Sequence, residues 1–149
     1  YDFSKKIIFL YIVGPHFEYI HKNIIDFTNV MLEFQRLNID FEIKITLTKE
    51  QLNSSTLWNN KLNKNTNFLG YIDKTKIKQH FIDNTILIST SIIETLGLHV
   101  IEAIQNGNIA IAPNELYSKS VYGSNILKYT LFDTKSLLKI MLHILNNKA

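Results

Sequence analysis

The chain has 149 residues, of which 46% are hydrophobic, and a formal net charge of +3. This length suffices for one hydrophobic core but not for two, so we expect a single domain over residues 1–149. The positive charge comes from scattered lysines and not from a basic block, which argues against a nucleic-acid partner. The absence of cysteine excludes disulfides and thiolate metal sites and favours a reducing, cytoplasmic location.

The longest apolar run, at residues 7–13, follows two lysines and superficially resembles a signal peptide. It is too short for a membrane span, which needs about 20 apolar residues. Gly14-Pro15 is also not a small-x-small cleavage site. The lysines of residues 61–64 and 74–78 are expected to be solvated, with the anionic inner face of the membrane as an alternative partner.

Short apolar runs alternate with helical patterns along the chain, without repeats or low-complexity linkers. Strands are predicted at residues 7–13, 41–47, 67–69, 86–89, 109–112 and 126–130. This alternation predicts an α/β fold, a Rossmann-like open parallel sheet of about six strands with helices on both faces. Ligands should bind at the carboxyl ends of the strands.

The helices between these strands are predicted from apolar spacing and capping residues. Asn23, Asp73 and Thr134 are predicted N-caps, the second for a helix carrying Ile77, Phe81 and Ile82. A further helix is expected over residues 98–106, ending at Gly107. Residues 49–62 are expected to be helical in part, with Trp58 in the core, and residues 113–122 are expected to form a loop.

The loop and helix over residues 90–103 carry the most informative pattern, TSIIETLGLHVIEA. A helix that begins near Leu98 directs free N–H groups and its positive dipole end at the cleft, a suitable site for phosphate. Gly97 allows close backbone approach. Glu102, one turn into the helix, suits the paired hydroxyls of a ribose, and Glu94 suits hydroxyls of a sugar on the far side. The spacing predicts a diphosphate flanked by two polyols.

The sequence ETLGLHVIEA resembles the glutamate-x7-glutamate motif of retaining glycosyltransferases of the GT-B fold, in the GT4-like group. Residues 67–72 are similar to the group's F-x-G strand, residues 107–112 to the strand after the motif helix, and residues 21–23 to the opening of the first helix. These segments occur in the same order as in that group. The resemblance therefore covers nearly the whole chain and implies the C-terminal, donor-binding half of a GT-B enzyme.

The resemblance also implies roles for three residues around the nucleotide. Lys22 would contact the donor diphosphate, and Gly70 and Tyr71 would lie beside the base. The group usually has an arginine after the first strand, and Pro15 or His16 occupies that place here. One cationic group is therefore missing from the expected diphosphate site.

The motif residues receive roles in the same way. Glu94 would bind hydroxyls of the transferred sugar and serve as the catalytic residue, and Glu102 would hold the ribose. The amides around Gly97 and Leu98 would meet the sugar and the distal phosphate. The proline that often follows Gly-Leu in the group is His99 here, which we expect to fill an ordinary helix position.

The implied function is transfer of a sugar, with retention, from a nucleotide diphosphate-sugar to a glycan or lipid-linked acceptor in bacterial surface polysaccharide synthesis. The N-terminal acceptor domain is not contained in these residues, so the isolated domain is expected to be inactive. No metal or other cofactor is expected. No metal-ligand spacing occurs among the five histidines, which are His16, His21, His80, His99 and His143.

The chain lacks the motifs of three other classes of α/β domain. A phosphate-accepting receiver domain needs acidic residues after the first strand, where this chain has Gly14-Pro15-His16. The glycine motifs of dinucleotide oxidoreductases and phosphate-loop NTPases are absent. Two alternatives stay open: a nucleotide-binding regulatory domain without catalysis, favoured by the missing arginine, and half of a sugar-nucleotide epimerase of the same architecture.

Overall fold

The computed structural model describes residues 5–147, and the predicted domain also includes residues 1–4 and 148–149, which lie outside that range. The strands are β1 (Ile7–Tyr11), β2 (Phe41–Ile45), β3 (Thr66–Phe68), β4 (Thr85–Ile88), β5 (Ile109–Pro113) and β6 (Leu127–Tyr129). They form one sheet in the order β3-β2-β1-β4-β5-β6, in which every neighbouring pair is parallel. The predicted Rossmann-like parallel sheet is confirmed.

Helices cover both faces of the sheet. They are α1 (Ile24–Arg36), α2 (Lys49–Asn53), α3 (Leu98–Gln105), α4 (Leu116–Tyr122) and α5 (Thr134–Asn146), with 3₁₀ helices at Ile20–Lys22, Asn60–Asn65 and Ile77–His80. Successive strand residues point to opposite faces. Phe9 accordingly packs in the cluster that contains residues of α1 and α5, and Leu10 packs with residues of α3 and α4. Within residues 5–147, no helix has the length and apolar character needed to cross a bilayer.

The sheet order places a topological switch point between β1 and β4. From β1 the chain proceeds outward through β2 and β3, returns to β4 on the other side of β1, and proceeds outward again through β5 and β6. The loops that follow β1 and β4 therefore diverge and leave a crevice at the carboxyl ends of these strands. This crevice is where the sequence argument places the ligand.

A buried carboxylate ties the start of α1 to the end of β6. Asp26 is 3% exposed. Its Oδ2 accepts hydrogen bonds from Asn23 Nδ2 at 2.7 Å, Tyr129 Oη at 2.9 Å and the Phe132 amide at 3.0 Å. Asn23 is the N-cap of α1, as predicted, but its backbone is left-handed and its side chain donates to Asp26. The carboxylate is stabilised by three donors, so its burial is compensated.

The prediction of a helix capped by Asp73 and carrying Ile77, Phe81 and Ile82 is wrong. Only the 3₁₀ helix Ile77–His80 forms there. Asp73 Oδ1 accepts from the amide and hydroxyl of Thr75, which makes a local turn. Phe81 is buried, whereas Ile82 is 46% exposed, and both lie beyond the end of this 3₁₀ helix.

Two further predictions about helices need correction. The N-cap of α5 is Asp133, whose side chain accepts from the Ser136 amide, and not Thr134. Residues 113–122 contain α4 and not only a loop, because Glu115 and Ser118 form a reciprocal cap at its start. The partly helical character of residues 49–62 is confirmed by α2 and the 3₁₀ helix after it, and Trp58 is buried.

Candidate active site

A cleft of about 650 Å³ lies at the switch point. One wall, here the α3 wall, consists of residues 89–91 and 94–99, and Lys22 lies beside it. The opposite wall, here the β2–β3 wall, consists of residues 46–48, Gln51 and residues 71–77 in part. The loop after β1 forms the floor with residues 12–15. The cleft therefore opens where the parallel-sheet rule predicts it.

An ion pair joins the two charged residues that the sequence singled out at the α3 wall. Lys22 Nζ lies 3.2 Å from Glu94 Oε1, and the two side chains are only 29% and 16% exposed. Ser91 Oγ donates to the same carboxylate oxygen at 2.8 Å. Burial raises the pKa of Glu94, but the Ser91 hydrogen bond and the Lys22 ammonium outweigh it, so the pKa lies below its usual range. Glu94 is thus an ionised carboxylate facing the cleft.

The backbone of Lys22 is fixed by hydroxyl groups of β1 and the loop after β4. Its carbonyl oxygen lies 3.3 Å from Tyr11 Oη and 3.1 Å from Thr90 Oγ1. The two hydroxyls share a hydrogen bond at 2.7 Å, so one of them donates to the other and the second donates to the carbonyl. The amide of Ile92 also donates to the carbonyl of His21 at 2.8 Å. The Lys22 side chain therefore projects from a held segment.

Helix α3 begins at Leu98, as predicted, with Gly97 as its N-cap. Gly97 has a φ of 52°, and a Cβ built there would lie 1.8 Å from Tyr122 Oη. Only glycine fits this position without displacing the tyrosine. Within residues 5–147, the amides of Leu98 and His99 have no hydrogen-bond acceptor. These free N–H groups and the helix dipole make the α3 wall favourable for an anion.

The predicted base-binding residues occupy different positions. Tyr71 lies at the rim of the cleft and is 85% exposed. Gly70 is not among the lining residues, and its amide already donates to the Leu47 carbonyl at 3.2 Å. Gly70 therefore has no free N–H to offer a base, and its predicted place beside the nucleotide stays a prediction.

The structure does not bring Glu102 into the cleft with Glu94. Glu102 is half-buried on α3, one turn beyond the N-terminus, and it is not among the cleft-lining residues. No hydrogen bond or ion pair of its side chain occurs within the described part of the chain. Its contact with a ribose stays a prediction.

Five cleft or near-cleft residues escaped the sequence interpretation as functional groups: Tyr11, Thr90, Ser91, His99 and Tyr122. The first three follow directly from the strand-end rule, because they end β1 or follow β4. Tyr122 carries no local signal, since it meets Gly97 only through the packing of α4. His99 was expected to fill a helix position, but it lines the cleft.

Neither lysine nor arginine occupies the place of the arginine that the resemblance leads us to expect. Pro15 lines the cleft, and the exposed His16 ring stacks on Tyr19 with 4.9 Å between centroids. The lysines among the cleft-lining residues are Lys22 and Lys74. At the α3 wall itself, a bound anion would meet one ammonium group and two free amides.

This fold is the Rossmann-like α/β fold of GT-B glycosyltransferase domains. Residues 9–147 match the family described as Glycosyl transferases group 1, and the chain belongs to this family. A search of curated protein sequences gave no match.

Three solved structures illustrate the likeness. A sucrose-phosphate synthase from Thermosynechococcus elongatus aligns with a TM-score of 0.73 and 19% identity, over 97% of this chain and 37% of that one. The C-terminal domain of a group 1 glycosyl transferase, LpcC from Francisella tularensis, aligns with a TM-score of 0.69 and 14% identity, over 96% and 76%. A TarM mutant from S. aureus, solved with fondaparinux, alpha-GlcNAc-glycerol and UDP, aligns with a TM-score of 0.70 and 20% identity, over 95% and 29%. The chain thus spans about a third of two of these proteins.

Proposed function

We propose that this chain is the donor-binding domain of a cytoplasmic glycosyltransferase. It binds a nucleotide diphosphate-sugar, and the sugar passes with retention to a glycan or lipid-linked acceptor in bacterial surface polysaccharide synthesis. The observation that carries the proposal is the Lys22–Glu94 pair beside the free amides of Leu98 and His99 at the switch point. A cation and helix amides suit the diphosphate, and the adjacent carboxylate suits sugar hydroxyls.

In this proposal the protein mainly stabilises the leaving group. The bond between the anomeric carbon and the distal phosphate oxygen breaks, and its electron pair goes to that oxygen. The acceptor oxygen bonds to the anomeric carbon on the same face and gives its proton to the departing diphosphate. Lys22 and the α3 amides stabilise the negative charge that develops, a preorganised electrostatic role that calls for no metal. Chelators should therefore leave donor binding unchanged.

The chain acts together with an acceptor-binding domain in this proposal. It spans 37% of the sucrose-phosphate synthase and 29% of the TarM structure, so most of each neighbour has no counterpart here. The domain alone is expected to bind a donor but to transfer sugar poorly. Contact of the lysines at residues 61–64 and 74–78 with anionic lipid belongs to the same proposal.

Calorimetric titration with UDP, GDP, ADP and their sugars tests donor binding. The UDP compounds come first, because the TarM neighbour was solved with UDP. For whichever nucleoside diphosphate binds, Lys22→Ala should lower the affinity roughly tenfold or more, because a charge-assisted contact is lost and Glu94 is left unpaired. Lys78→Ala, exposed and outside the cleft, is the control. Absence of binding to every nucleotide, or equal effects of the two variants, would contradict the proposal.

A second candidate is a nucleotide-binding domain without catalysis. The missing arginine favours this candidate, because its place is taken by Pro15, which lines the cleft, and His16, which stacks on Tyr19. Turnover separates the two: a protein that contains this chain and an acceptor domain releases nucleoside diphosphate and glycosylates its acceptor only if it is a transferase. A sugar-nucleotide epimerase would instead change the donor sugar without any acceptor.

A further inference from the structure

His99 is a polar group of the α3 wall without an internal partner. Its side chain lines the cleft, and no hydrogen bond or ion pair of the imidazole occurs within residues 5–147. The charged groups near it are engaged with other residues: Glu94 pairs with Lys22 and accepts from Ser91. A polar ring that faces the cleft while its neighbours bond one another is available to a ligand.

The imidazole is neutral at physiological pH. Burial, which the Glu94 carboxylate opposes and the Lys22 ammonium reinforces, lowers the pKa of His99 to about 4. A neutral imidazole has one nitrogen that donates and one that accepts. Such a group matches a hydroxyl, which also donates and accepts, better than it matches a phosphate oxygen, which only accepts.

The position of His99 selects the part of the donor that it would meet. It is the second residue of α3, and its amide is free, so its backbone faces the proposed distal phosphate. Its ring is close enough to Glu94 for each charge to act on the other's pKa. Glu94 is the proposed ligand of the sugar hydroxyls, and Lys22, which also acts on the pKa of His99, is the proposed ligand of the diphosphate. The imidazole therefore lies where the sugar meets the distal phosphate.

We infer that His99 determines sugar specificity, by hydrogen bonding to a hydroxyl of the transferred sugar next to the one bound by Glu94. This inference rests on the proposed donor-binding function. The nucleoside diphosphate without its sugar gains nothing from this contact.

The test compares two ligands on the whole chain: the nucleoside diphosphate that binds and the matching nucleotide sugar. His99→Ala should lower the affinity for the nucleotide sugar about tenfold, the loss expected for one hydrogen bond in a cleft. The affinity for the nucleoside diphosphate should stay within about twofold of the wild-type value. His99→Gln, which keeps a donor and an acceptor, should recover part of that loss. His80→Ala, outside the cleft, should change neither ligand.

A set of deoxy-sugar donors identifies the hydroxyl. The wild-type chain should lose affinity for one deoxy donor, and His99→Ala should show no further loss with that donor. Equal weakening of both ligands by His99→Ala and His99→Gln would assign His99 a structural role and overturn the inference, as would no change in either ligand. A wild-type chain that binds neither ligand would overturn the proposed function itself. Circular dichroism melting verifies that each variant is folded.

Discussion

The two walls of the cleft use their polar side chains differently. In the β2–β3 wall, apart from the exposed Lys74, the lining polar side chains of residues 46–51 serve the protein: Thr46 Oγ1 accepts from the Val13 amide and donates to the Val13 carbonyl, both at 2.8 Å. Thr48 and Gln51 cap each other at the start of α2. In the α3 wall, an ion pair, free amides and a neutral imidazole face the cleft. The charged part of a ligand is therefore expected at the α3 wall, and its flat or apolar part at the β2–β3 wall.

The largest effect should come from the close contact behind the α3 wall. Gly97→Ala places a Cβ at φ 52°, 1.8 Å from Tyr122 Oη, and should lower the free energy of unfolding by about 2 to 4 kcal/mol. Urea denaturation measures this loss. Gly107→Ala, also at positive φ but with open space around the new Cβ, should cost only about 1 kcal/mol.

A double variant separates the contact from the backbone strain. Tyr122 Oη is buried without a partner in the described residues, so Tyr122→Phe alone should be close to neutral. Combined with Gly97→Ala it should restore part of the stability, because the nearest remaining ring atom lies at 3.1 Å. If Gly97→Ala costs no more than Gly107→Ala, the contact does not constrain the α3 wall.

An intermediate effect, with opposite signs for two ligands, should follow from the ion pair. Glu94→Gln removes the charge that holds Lys22. Binding of the nucleoside diphosphate should tighten about threefold, because Lys22 no longer has to break an ion pair with a carboxylate before it binds the phosphates. Binding of the nucleotide sugar relative to the nucleoside diphosphate should fall about tenfold, because a charged acceptor for sugar hydroxyls is lost.

The control for this pair is Glu33→Gln, which breaks the exposed pair of Glu33 with Arg36 at 3.0 Å, outside the cleft. Exposed pairs contribute little, so neither ligand should respond. Calorimetry with both ligands gives the comparison. Weakening of the nucleoside diphosphate by Glu94→Gln would mean that Glu94 orients Lys22 for the phosphates and does not compete for it.

The smallest effect is expected at the β2–β3 wall. Tyr71 is 85% exposed, so Tyr71→Ala should change the free energy of unfolding by less than about 0.5 kcal/mol. Nucleotide binding should weaken about threefold if the ring covers the base. Tyr19→Ala, an exposed aromatic outside the cleft, should leave binding unchanged. Unchanged binding in Tyr71→Ala would remove this residue from the site.

Much of the fold is predictable because buried parallel strands need apolar residues on both faces. That requirement makes runs such as residues 7–13 stand out, although hydrogen bonding ends β1 at Tyr11. Helix α4 is less visible, since it buries only Ser118 and Tyr122 and leaves Leu116 82% exposed. A helix with so little apolar surface on one face has almost no periodic signal.

The site is predictable where function depends on position along the chain and less so where it depends on direction in space. Lys22, Glu94 and Gly97 follow a strand or begin a helix, so their place at the cleft follows from the fold class. Whether Glu102 faces the cleft depends on the rotation of α3, and whether the Gly70 amide is free depends on the Leu47 carbonyl. Neither is encoded in local spacing.

The buried carboxylate of Asp26 makes the position of the proposed phosphate ligand depend on residues more than a hundred positions away. Asn23, next to Lys22, donates a hydrogen bond to this carboxylate. Tyr129 and Phe132, where β6 leads into α5, donate to the same oxygen. A change in the last quarter of the chain, remote from the cleft, can therefore shift the ammonium group and alter donor affinity without touching any lining residue. We therefore expect variants of Tyr129, like variants of Lys22, to change donor affinity.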